Sequence, residues 1–204
     1  MLSIPYVSWK RVRRAVAVVV LVFFVGWGIR YFFFQPSFVP RDFADARQRS
    51  YNIAQAIVKL SSDSLVDLSH IAGLDRAGKA AEALAVVQQA IGDNLQARQE
   101  AVQLSATLEV MAKNLPEIMP SRGRNLATEG LGYEVNLINH LITYNDYLSQ
   151  LLAVLQDKFD GTITNADFQI KKWISLINDE SEAINGLNKK YTDVMLQFDR
   201  VTAR

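Results

Sequence analysis

His70 and His140 are the only two histidines in the chain, and they limit what metal or acid–base chemistry it could do. Helical di-iron sites draw a Glu-x-x-His from each of two helices and further glutamates from the facing pair. Here Asp67-Leu68-Ser69-His70 is the one acid-x-x-His, and Glu134 stands six residues before His140 instead of three. The spacing gives both histidines structural, exposed or half-buried places and supports no metal site. Haem ligation lacks the attachment motif C-x-x-C-H, and Met111, Met119 and Met195 fit core positions. No cofactor is expected.

The segment 156–167, QDKFDGTITNAD, looks in its second half like a calcium loop, with Asp160, Gly161 and Ile163 in place and an acid, Asp167, at the twelfth position. Its first half has Gln156 and Lys158 where oxygen ligands are needed. A helix stop followed by a helix start explains the segment better. Asn94, Arg98, Ser181 and Asn188 are polar residues at apolar-seam positions, and they form either a register-fixing belt or the lining of a ligand pocket. There is no cysteine, no G-x-S-x-G, no phosphate-binding loop and no H-E-x-x-H. The chain is not expected to be an enzyme.

The elements that position these residues begin with the apolar run 15–34, AVAVVVLVFFVGWGIRYFFF. About 20 apolar residues cross a bilayer core. Lys10, Arg11, Arg13 and Arg14 precede the run, and no acid occurs before Asp42. Basic flanks stay on the cytoplasmic side, so residues 1–14 read as a cytoplasmic N-terminus and everything after residue 35 as extracytoplasmic. Trp9 on one side and Trp27 and Tyr31 on the other suit the two interfaces, and Arg30 can snorkel outward. Gly26-Trp27-Gly28 offers a cleavage-like pattern, but the apolar run outlasts a signal peptide's core, which favours a retained signal anchor.

Residues 35–40 form a linker stiffened by Pro36 and Pro40. The remainder, 41–204, reads as one all-α domain of four long helices in an antiparallel up-down bundle. The first runs from Arg41 to about Ala72, weakened at Ser61-Ser62-Asp63-Ser64, stopped by Gly73 and followed by Asp75 as the next cap. The second runs from about Arg76 to Leu115 with Leu84, Val87, Ile91, Leu95, Val102, Leu108, Met111 and Leu115 as its apolar stripe. The third spans about Arg122 to Phe159, with Gly130 and Gly132 marking close packing or a bend. A capping box at Thr164-Asn165-Ala166-Asp167 starts the fourth, whose stripe, Ile170, Ile174, Ile177, Ser181, Ile184, Asn188, Tyr191, Met195 and Phe198, keeps a coiled-coil-like period.

The formal charge of +1 hides an asymmetry, because five of the 22 basic residues and none of the 21 acids lie before residue 35. The domain outside is mildly acidic, without the basic footprint that nucleic-acid binding needs. Up-down topology gathers Arg41, Arg122, Arg124, Arg200 and Arg204 at the membrane-proximal end, where they could meet anionic lipid or stand as ordinary solvated charges.

In the order of its elements the chain resembles the helical-bundle sensor ectodomains of bacterial chemoreceptors and sensor kinases, a likeness that transfers no residue roles. The reading that emerges is a single-pass protein of an inner or plasma membrane. Its periplasmic or extracellular bundle would be a non-catalytic scaffold or interaction subunit of an envelope complex, with the bilayer and a protein, whether another chain or a second copy, as partners. The alternative is a sensor or small-molecule or lipid-binding module. A pocket inside the bundle would favour the alternative, and a filled interior the scaffold.

Overall fold

A computed structural model describes residues 37–163 and 165–203. Four helices follow one another: α1 (Arg41–Arg76), α2 (Ala80–Asn114), α3 (Ser121–Phe159) and α4 (Asp167–Thr202), with a 3-10 turn at Leu115–Glu117 between α2 and α3. They pack on one another, α1 on α2, α2 on α3 and α3 on α4. Among the described residues there is no strand, only an isolated bridge in which Phe38 and Met119 exchange backbone hydrogen bonds of 3.0 and 2.9 Å.

Helix-breaking residues set the ends. Pro40 and Pro120 precede α1 and α3, where a missing N–H costs nothing. Gly78 takes φ +70° after α1 and Gly161 takes φ +74° after α3, a left-handed conformation that suits glycine. Cross-helix contacts give the directions. Ser50 meets Thr107, Asn94 meets Asn145, and His140 meets Glu180, so each helix runs opposite to the one before it. One end of the bundle gathers the bridge at Phe38, the α2–α3 turn and the end of α4, where Thr202 lies against Gly123. At the other, Lys158 bonds Asp75 at 2.6 Å.

The interior has two apolar clusters. Phe43, Ile57, Leu104, Met111, Ile118 and Phe198 belong to the one nearer the Phe38 end, and Ile71, Val87, Tyr144, Leu148, Leu152 and Ile177 to the other. Asn94 lies between them in the sequence order of α2, buried, and its Nδ2 donates to the Asn145 carbonyl at 3.0 Å and to Ser149 Oγ at 2.7 Å. A buried amide with specific partners fixes alignment, which is the register role.

Several boundaries differ from the sequence reading. Gly73 lies inside α1, which continues to Arg76 and passes Ser61–Ser64 unbroken; Ser64 is buried and its hydroxyl bonds the Leu60 carbonyl. Asp75 caps nothing and instead pairs with Lys158, because the chain reverses at Gly78. The residue before α4 is Ala166, with no side-chain cap, and Thr164 of the expected capping box lies outside the described residues. In α2 the core stripe is built on alanine: Ala83, Val87, Ala90, Asn94, Ala97, Ala101, Leu104, Leu108 and Met111 alternate four and three apart, whereas Leu95 is 55% and Val102 62% exposed. Ile174 of α4 is also exposed. Gly130 does mark close packing, since a Cβ there would sit 2.7 Å from Met195 Sδ, while Gly132 has open space.

Among the described residues no helix is long and apolar enough to cross a membrane. The proposed anchor at 15–34, with Trp9, Trp27 and Tyr31, lies outside them.

Candidate functional site: a groove between the first and last helices

The first and last helices, α1 and α4, are not closed against each other by backbone packing. At the Phe38 end side chains pin the two together: Arg47 donates two hydrogen bonds to the Asp199 carboxylate, at 2.6 and 2.9 Å, and lies 5.7 Å over the Phe198 ring, itself 5.7 Å from Phe43. Beyond that clamp a groove of about 1330 Å³ opens between them. The residues facing across it account for the opening. Gln48, Asn52 and Gln55 on α1 look toward Asn185, Asn188 and Thr192 on α4, and polar or small side chains supply no apolar surface to draw the helices together. Below this polar rim the floor is apolar, lined by Ile57, Leu104, Leu137, Leu141, Ile184 and Met195.

One floor residue departs from that chemistry. Glu134 of α3 is 5% exposed, and its Oε2 is enclosed without a hydrogen-bond partner. Its charged form loses hydration there, and burial pushes its pKa up to about 7, with the Ser50 hydroxyl and the Arg47 charge opposing. Thr107 Oγ1 donates to the Leu104 carbonyl at 2.7 Å and lies 2.5 Å from Ser50 Oγ. Tyr191, beside Arg47, has its phenol pKa pushed well up by burial and then by the Glu134 charge. The arrangement can hold or release one proton and accept a donor from a ligand.

The other sequence candidates fall elsewhere. Asn188 reaches the groove; Arg98 does not, being exposed and paired with Asp146 at 3.2 Å, and Ser181 is half-buried outside the lining. His70 is exposed, and His140 Nδ1 lies 2.6 Å from Glu180 Oε2. Among the described residues no three His, Asp or Glu side chains are grouped to hold a metal. Asp157 and Gly161 belong to a helix stop in which Thr162 and Ile163 donate to the Asp157 carbonyl. Arg41, Arg122, Arg124 and Arg200 do share the Phe38 end; Arg124 donates to the Ile118 carbonyl while the others are exposed, and Arg204 lies outside the described residues.

No family model, no curated protein and no solved structure matches the chain.

Glu134 entered the sequence reading only through its distance from His140. Its signal was register: Ala127, Gly130, Glu134, Leu137 and Leu141 keep the three- and four-residue spacing of a core stripe, and an acid there is costly unless it serves something.

Proposed function

We propose that this chain is a single-pass membrane protein, anchored by residues 15–34, whose extracytoplasmic bundle is a non-catalytic interaction subunit, and that the groove between α1 and α4 is its docking face. The observation that supports it most is the groove itself: an apolar floor within a polar rim, bordered by the exposed apolar side chains of Tyr51, Val58 and Leu196. That layering is the anatomy of a protein interface, with an apolar centre and a wet margin. The basic anchor flank supports the orientation. A small-molecule sensor is the second reading, favoured by the enclosed Glu134 oxygen, but the groove exceeds the roughly 300–1,000 Å³ of most ligand pockets.

Photo-cross-linking in living cells tests the docking face. A photoreactive residue at Val58 or Leu196 should give a discrete heavier adduct, and the same residue at the equally exposed Val102 of α2 should give none. Adducts of equal yield at all three positions would remove the groove from consideration.

A further inference from the structure

We infer that the groove seats an amphipathic helix of a partner protein carrying one lysine on its apolar face, with the lysine ammonium on Glu134. The inference rests on the docking reading above and adds the chemistry of the occupant.

Length selects a helix. Past the Arg47–Asp199 clamp the α1 wall runs from Gln48 to Asp63, about 23 Å at 1.5 Å per residue, and the α4 wall covers Ile184 to Leu196. A rod of about four turns laid along that channel would complete the bundle with a fifth helix, using apolar anchors at three- and four-residue spacing on the floor leucines.

Charge selects the lysine. Arg47, the cation nearest the floor, is already held by two bonds to Asp199, and Lys59 stands exposed on the rim, so an anionic group entering the groove finds no unengaged partner at depth. The open valence is instead an acceptor, Glu134 Oε2. A lysine carries three donors on a flexible apolar stem that can pass Leu137 and Leu141. A single enclosed oxygen suits that point charge better than the planar fork of arginine. A buried carboxylate left unpaired is unfavourable, and pairing removes the penalty, so the site discriminates against helices that lack the cation.

The test uses the full chain in nanodiscs and three synthetic 20-residue helices with leucines at i, i+3, i+4 and i+7. They differ at one central stripe position, which is lysine, norleucine or glutamate. The lysine helix should bind at least ten-fold tighter than the glutamate helix, and Glu134→Gln should abolish that preference while Val102→Gln leaves it intact. At pH 7 binding should release about half a proton, because a carboxyl near half-protonation becomes fully ionised, and Glu134→Gln should release none. If the three helices bind alike with and without Glu134, the lysine is wrong and the docking face survives. If none binds, both fail. Self-association of the chain that Glu134→Gln alters, in place of helix binding, would assign the groove to a second copy and overturn the inference.

Discussion

At the scale of single residues, Glu134 links folding to pH. Its pKa is raised in the folded chain, to about 7 from an ordinary 4.5, so the folded state holds the proton more tightly than the unfolded one. Stability from this group is full below about pH 4.5, falls as pH rises toward 7, and levels off above, a loss on the order of 3 kcal/mol. Groups acting on it are Arg47 and Ser50 from α1 and Tyr191 from α4, and a further carboxylate nearby, Asp199, is half-buried and paired with Arg47. Asp67, whose pKa burial also raises, adds to the same slope. Urea unfolding of Glu134→Gln at pH 5 and pH 8 should therefore show a smaller difference between the two pH values than the wild type does. The two glycines of α3 make a second pair. Gly132→Ala should stabilise by about 1 kcal/mol, the ordinary helix gain. Gly130→Ala drives a Cβ onto the buried Met195 and should destabilise by about 1–2 kcal/mol, with thermal melts as the measure.

At the scale of elements, helix number and approximate length were legible because apolar period and proline–glycine punctuation are local signals. Pro40, Pro116, Pro120 and Gly161 all fall at ends. What was not legible was which of two overlapping stripes faces inward. In α2 the bulky Leu95 and Val102 outweigh Ala90 and Ala97 in any reading by hydrophobicity, yet the alanines let α2 sit close to two neighbours and the larger residues point to solvent. Ala90→Leu should cost about 1–3 kcal/mol by overpacking, whereas Leu95→Lys should shift stability by less than about 0.5 kcal/mol. The groove was illegible for a related reason. Its existence depends on the pairing of α1 with α4, the elements farthest apart in sequence, and period alone does not say which polar face meets which. The two readings left open at Asn94 and Asn188 resolve differently, one buried as a register contact and the other at the groove.

At the scale of the whole molecule, one end of the bundle carries the linker, the α2–α3 turn and the end of α4, with Arg41, Arg122 and Arg200 exposed there. In the proposed orientation this end faces the headgroups. Chain in nanodiscs with anionic lipid should then show slower hydrogen exchange at the α2–α3 turn than in neutral nanodiscs, and the difference should shrink at 0.5 M salt as surface charges are screened.

The central claim joins a place to a face, and because the chain has no cysteine, one labelling experiment reads both. Val58 on the groove rim is 66% exposed and Val102 on the outer side of α2 is 62% exposed, so single cysteines at the two positions should react alike with a maleimide in the purified protein. In intact cells, with a membrane-impermeant maleimide, the account predicts that Val102→Cys labels without lysis and that Val58→Cys labels several-fold more slowly. Labelling of both only after lysis, or at equal rates in cells, would contradict it.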